Sequence, residues 1–246
     1  QIGTLSALVV MVLFHAVNNW RWLQTNVTIL GWDVPSHLGT SFVVDGILRP
    51  FGPKSLFAAI VWHPNRPPLY FLSAVPLYRL FGVSPDVGTM VNILYLALLF
   101  GSVYAIGRRL GGRAVGLLAA FVVATMPMIY AISRYFYIEL ALTAIVALSV
   151  YLLLASQRFE NRFASLLFGA SLGLGLLTKR TYPVFVFAPL CVVFARSGAV
   201  RSLRERLRAG RWLDAKSLLL ALGVGLVLAL AWYLPAREIA AHLPLG

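Results

Sequence analysis

The stretch "IELALTAIVALSVYLLL", Ile138 to Leu154, carries no charge after Glu139. A helix rises about 1.5 Å per residue, so roughly 20 apolar residues cross a bilayer core. Runs of this kind constrain the fold more than any other feature. Inside a bilayer each backbone polar group must find its partner within the protein. Seven runs read this way: 4–18, 88–106, 114–132, 136–155, 163–178, 182–195 and 216–234. The fifth and sixth are short, and Lys179-Arg180 part them, so they read as short tilted spans or a re-entrant pair. Composition agrees: the chain is 60% hydrophobic and 12% charged, where a soluble domain has roughly half and a quarter. The expectation is an all-α, polytopic transmembrane helix bundle of about seven spans. It forms one module over residues 1–246. No basic segment precedes the first run, which reads as a span and not as a cleaved signal.

The formal net charge is +13, and its distribution sets orientation. Arg108, Arg109 and Arg113 lie between the second and third runs, and Arg158 and Arg162 between the fourth and fifth. The segment from Arg196 to Lys216 holds five more arginines between the sixth and seventh. If all seven runs cross, these loops share one side, which the positive-inside rule makes cytoplasmic. Charge gathered in short loops, without a basic helix interleaved with aromatics, excludes nucleic acid as a partner. The lone Cys191 reads as a small buried hydrophobe.

The opposite, external side receives a long first loop, 19–87, and the turns at Arg134 and at Lys179. Within the loop, "SHLGTSFVVDGILR" and "KSLFAAIVW" read as short helices on the membrane surface. Between them and the next run stands "VWHPNRPPLYF", whose prolines forbid a spanning helix.

Few acids exist, so each placement is informative. Glu160, Glu205 and Asp214 lie among arginines as solvated pairs, and Asp45, Asp86 and Glu238 as surface or capping groups. The "NVT" triplet at Asn26 is a weak sequon. Asp33, in "LGWDVPSH", puts a carboxylate beside a helix start, with His37 four residues on; an ordinary cap is the alternative. Glu139 sits at the mouth of an apolar run, where an acid is costly and needs a partner or a water-filled cavity. Arg134, five residues earlier, is the candidate partner. Arg66, Arg134, Lys179 and Arg180 fall on the external face against the charge bias, which points to an anionic ligand such as a phosphate at the membrane surface. Tyr70 would anchor its loop among headgroups, and His63 would touch ligand or shape the turn. No phosphate loop, zinc helix or nucleophile elbow is present.

An acid after the first span, "RPPLYF", "LYRLFG", an acid at the top of the fourth span and "GLGLLTKRTYP" together make a pattern. Over about residues 25–190 it resembles membrane glycosyltransferases of the GT-C class. The likeness is to the dolichyl-phosphate-mannose protein mannosyltransferase-like branch, which includes the aminoarabinose transferases. The resemblance implies transfer of a sugar from a polyprenyl-phosphate donor, with inversion, to a lipid, glycan or protein acceptor. It further implies a plasma (inner) membrane enzyme with an extracytoplasmic active face. Position by position it makes Asp33 the first-loop acid that serves as base or orients the acceptor, and Glu139 the second acid. Arg66 becomes the basic residue facing the carrier phosphate, and Lys179 the basic residue of the "LLTK" turn. The chain departs where many relatives have Asp-Glu and it has Asp33-Val34. A divalent metal is left open, with Asp33 and Glu139 its only candidate ligands. The alternative function is a transporter or flippase of a lipid-linked anion, motivated by the same cations and the glycine-rich fifth run.

Overall fold

A computed structural model describes residues 2–26, 31, 33–157, 159–196 and 216–242. Trp32, the last two residues of "NVT", Arg158, and the arginine stretch with Glu205 and Asp214 lie outside the described residues. The described residues are helical, without a strand. In order they form α1 (Ile2–Thr25), α2 (Val34–Ile47), α3 (Pro53–Val61), α4 (Leu69–Phe81), α5 (Pro85–Thr89) and α6 (Asn92–Thr125). Then come α7 (Pro127–Ile132), α8 (Ile138–Ala155), α9 (Arg162–Leu176), α10 (Tyr182–Arg196) and α11 (Lys216–His242).

Four stretches are long and apolar enough to cross a membrane: Gly3–Thr25, Pro85–Thr125, Ile138–Ala155 and Lys216–Glu238. Leu69–Phe81, Arg162–Leu176 and Tyr182–Val192 are apolar but shorter. α6 is a helical hairpin. Its regular backbone breaks at Gly111 and at Gly112, whose φ of 86° suits glycine. The chain turns back so tightly that a Cβ on Gly107 would lie 2.8 Å from the Cα of Gly116. The break falls among Arg108, Arg109 and Arg113, where the polar residues of the sequence part the second run from the third.

Contacts assign the helix ends. At one end, Arg109 of the hairpin turn donates to the carbonyl of Leu154, the last turn of α8. Thr4 and Leu8 of α1 line a cleft there with Arg108 and Arg113. At the other end, Asn19 of α1 meets Ser133, and Asn92 at the start of α6 meets Ser133 and Tyr135. The start of α8, the end of α9 and Tyr233 of α11 also gather there. Pro127 follows the end of α6, and His15 Nε2 donates to the late α6 carbonyl of Ala124 at 2.9 Å.

The core holds Tyr70, Phe71, Leu96, Phe100, Phe136 and Leu140, all almost completely enclosed. α9 and α11 approach closely through small residues: a Cβ on Gly169 would fall 2.0 Å from the carbonyl oxygen of Ala221. Along α1 and α11 large apolar side chains such as Val10, Phe14, Leu226 and Val227 face outward, as a lipid-facing helix requires. Cys191, expected inside, is exposed on α10.

Residues 19–87 differ most from the sequence reading. α1 continues to Thr25, and the segment beyond holds α4 as well as the two expected short helices. α4 is core, not surface: Tyr70, Phe71, Ala74, Val75 and Tyr78 form one buried helical face. α2 packs against it, with the Ser41 and Tyr78 hydroxyls 2.8 Å apart. Asp45, read as a surface cap, is buried near the carboxyl end of α2, where a negative charge is unfavourable. Arg79 of α4 meets it at 3.1 Å and also donates to its backbone carbonyl.

Candidate active site

The N-terminus of α2 supplies the first two groups. Asp33 occupies the N-cap, but its side chain makes no capping hydrogen bond and stays exposed. One turn on, the His37 ring packs between Phe71 and Tyr137, with centroids 6.0 and 6.2 Å away. The Phe136 carbonyl faces the ring and favours its protonated form, while Nδ1 is buried without a partner among the described residues. Burial, and after it the Arg66 guanidinium, push this imidazole below the ordinary histidine value; the Glu139 and Asp33 carboxylates pull it the other way. Charges from three separate elements thus act on one ring.

The segment Trp62–Pro68 supplies the cations. His63 Nδ1 accepts the Asn65 N–H, and the His63 carbonyl accepts the Arg66 N–H, so His63 shapes the turn. Burial first, then Arg66 and Arg180, lower its pKa. Arg66 donates to the Ser36 carbonyl at 2.9 Å, the Thr40 hydroxyl at 3.0 Å and the Ser36 hydroxyl at 2.6 Å. Guanidinium has five N–H donors. Three lock Arg66 onto the first turns of α2, and two remain for a ligand.

Glu139 stands in the first turn of α8, where a helix favours negative charge. Its Oε1 accepts from Lys179 Nζ at 2.7 Å, while Oε2 is enclosed and unpartnered. Lys179 therefore takes the place expected for Arg134. Arg180 donates to the Pro64 carbonyl and lies 5.5 Å from the Trp232 ring centroid, tying the Trp62–Pro68 segment to α11. A backbone bond from Leu69 N to the Leu177 carbonyl closes the same seam.

Two expected site residues fall elsewhere. Arg134 stacks on Tyr130 at 4.0 Å and Trp22 at 5.5 Å, with Nε 3.4 Å from Asn19 Oδ1. Tyr70 is completely buried and donates to Asn92 Oδ1 at 2.9 Å, so it neither anchors in headgroups nor reaches a ligand. Sequence reasoning passed over Ser36 and Thr40, which orient Arg66. It also passed over Asn19, Asn92 and Ser133, which hold the strap 133–137 leading to Glu139. Asn19 and Asn92 carried a readable signal, being amides in otherwise apolar helices. Among the described residues no group of three His, Cys, Asp or Glu comes together, and Glu139 is already matched by Lys179.

The arrangement combines an unencumbered carboxylate, a fixed guanidinium and a lysine–glutamate pair at the bundle end where helices start and stop. The family model described as dolichyl-phosphate-mannose-protein mannosyltransferase matches residues 65–233. The chain belongs to that family. No curated protein and no solved structure matches. Membership makes it, in general terms, a membrane glycosyltransferase using a polyprenyl-phosphate-linked sugar. Arg66, Glu139, Lys179 and Arg180 lie within the matched residues, and Asp33 and His37 precede them.

Proposed function

We propose that the chain transfers a sugar, with inversion, from a polyprenyl-phosphate donor to an acceptor hydroxyl at the extracytoplasmic face of the plasma membrane. The observation that carries this reading is the set of contacts that gathers the groups: Arg66 is bonded to Ser36, three residues from Asp33, Arg180 holds the Pro64 carbonyl two residues before Arg66, and the adjoining Lys179 meets Glu139. In the reaction the acceptor oxygen attacks the anomeric carbon as the bond from that carbon to the phosphate oxygen breaks. The hydroxyl proton passes to the Asp33 carboxylate, which makes no side-chain hydrogen bond or ion pair among the described residues. The bonding pair leaves with the polyprenyl phosphate, whose negative charge grows by one. Two spare donors of Arg66 and the two N–H groups of Lys179 not used by Glu139 stabilise that charge. A single displacement needs no enzyme nucleophile.

The placement takes the chain to cross seven times. Counting the α6 hairpin as two, with α1, α8, α9, α10 and α11, the helices alternate in direction. The arginine turn of α6 then lies at the end opposite Glu139, on the side the charge rule assigns to the cytoplasm. The test is sugar transfer by the full-length enzyme in liposomes. Asp33→Asn is expected to lower turnover about 100-fold or more while leaving the protein folded. Wild-type turnover in that variant removes Asp33 as the base. Translocation of the carrier without transfer in the same vesicles favours the transporter alternative.

A further inference from the structure

A second cavity, of about 240 Å³, lies between the end of α1, the start of α2, α5 and the strap 133–137. Arg134 and Asp86 both line it, with Trp22, Tyr135 and Thr89. These two opposite charges do not close on each other: neither takes part in an ion pair among the described residues. Arg134 is held by its flat face on Tyr130 and by Nε on Asn19, and its terminal N–H groups have no acceptor among the described residues. Among the described residues the Asp86 carboxylate meets the Gln24 amide side chain, at 3.3 Å. Trp22 and Tyr135 stand edge to face, 5.3 Å between centroids, and offer C–H-binding ring surface.

Such a lining selects its ligand. Asp86 opposes an anion and Arg134 opposes a simple cation. A neutral polyhydroxyl ring satisfies both, its hydroxyls accepting from guanidinium and donating to carboxylate. The cavity also backs onto the site. Its walls include Val34 and Leu38, the neighbours of Asp33 and His37, and Phe136, whose carbonyl faces His37.

We propose that this cavity is a glycose subsite, holding one sugar ring of the donor or the acceptor between Arg134 and Asp86 and against Trp22 and Tyr135. The inference rests on the glycosyltransferase reading but is tested apart from it. The full chain in nanodiscs is probed by saturation-transfer NMR with methyl α-mannoside, methyl α-glucoside and a methyl arabinoside. Saturation transfer is expected to at least one glycoside. It should fall fivefold or more in Asp86→Ala and in Arg134→Lys, which keeps the charge but not the planar fork. Arg162→Ala, exposed at the start of α9, should leave it unchanged. Absence of transfer to every probe overturns the proposal. So does a signal indifferent to Asp86→Ala and Arg134→Lys in protein of wild-type melting temperature. Displacement by polyprenyl-phosphate hexose, but not by bare polyprenyl phosphate, assigns the subsite to the donor's sugar. Persistence of the glycoside signal assigns it to the acceptor's. Glycoside binding in a protein that transfers no sugar sinks the enzymatic reading and leaves the subsite standing.

Discussion

Asn92 is the residue whose loss should separate holding the site together from performing its chemistry. Fully buried at the start of α6, it accepts from the Tyr70 hydroxyl at 2.9 Å. It donates to the Ser133 and Tyr135 carbonyls at 3.1 and 2.7 Å. Asn92→Ala removes all three bonds. The Ser133 carbonyl keeps a second donor, Asn19 Nδ2 at 3.2 Å, and the Tyr135 carbonyl keeps the Tyr137 N–H at 2.7 Å, whereas the Tyr70 hydroxyl loses its partner. Hydrogen bonds between membrane helices average ~0.6 kcal/mol and reach ~1.7. Buried groups left unpaired cost ~1–3 kcal/mol each. One orphan and two lost bonds therefore give a destabilisation of ~2–4 kcal/mol. Tyr70→Phe, which deletes one bond and leaves one amide oxygen short, should cost ~1 kcal/mol by the same rules. Unfolding in bicelles titrated with SDS measures both. In residual folded protein the strap is freed, Glu139 and Lys179 shift, and kcat should fall ~10–100-fold with donor KM little changed, because small misplacements of reacting groups are expensive. The reasoning is refuted if Asn92→Ala unfolds within ~0.5 kcal/mol of wild type, the limit for a neutral substitution. It also fails if Asn92→Ala is no more damaging than Tyr70→Phe.

Three further outcomes follow from separate parts of the fold. Arg79→Met leaves the buried Asp45 carboxylate without its closest cation and should cost ~3 kcal/mol, the low end for breaking a buried pair because Arg79 is half exposed. Adding Asp45→Asn should restore most of that loss in the same unfolding titration, and a double variant as weak as Arg79→Met contradicts the pairing. His37 and His63 have folded-state pKa values below 6.5, so between the folded and unfolded values the unfolded chain binds more protons. Their contribution is intact above the ordinary histidine pKa and lost as pH falls toward the folded values, so the melting temperature should drop on acidification below about 6.5. His37→Gln should flatten that drop, and a pH profile identical to wild type refutes the assignment. Gly169→Ala drives a methyl into the Ala221 carbonyl and should destabilise the α9–α11 contact by ~1–3 kcal/mol; unchanged unfolding means the two helices are not packed this closely.

Much of the fold was legible because its determinants are local. Apolar runs gave the helices, and "GRRLGGR" marked the α6 turn, since paired glycines among arginines neither continue a helix nor stay in lipid. α4 was missed although its face was written plainly at 70, 71, 74, 75 and 78. Thirteen residues interrupted by Pro76 fall short of a span, and the length criterion silenced the periodicity.

The site was legible in its residues but not in its pairings. Glu139 stood out as an acid in an apolar run, yet its partner lies 40 residues away at Lys179. Arg134 was the wrong choice for a physical reason. Helical spacing brings residues five apart no closer than a loose neighbour, and the chain between them is not helical, with Tyr137 at φ −117°, ψ 131°. Arg134 instead finds aromatic faces on Tyr130 and Trp22. The rule that marks polar groups in apolar helices as functional picks out Glu139, and applied evenly it also picks out His15, Asn19 and Asn92. His15 meets a carbonyl at the end of α6, and the two asparagines meet carbonyls of the strap before α8. These are backbone groups left open where helices stop inside the bundle. A polar residue within an apolar run therefore announces either chemistry or a helix end in need of a partner. Here the second kind holds the segment from which the first kind projects.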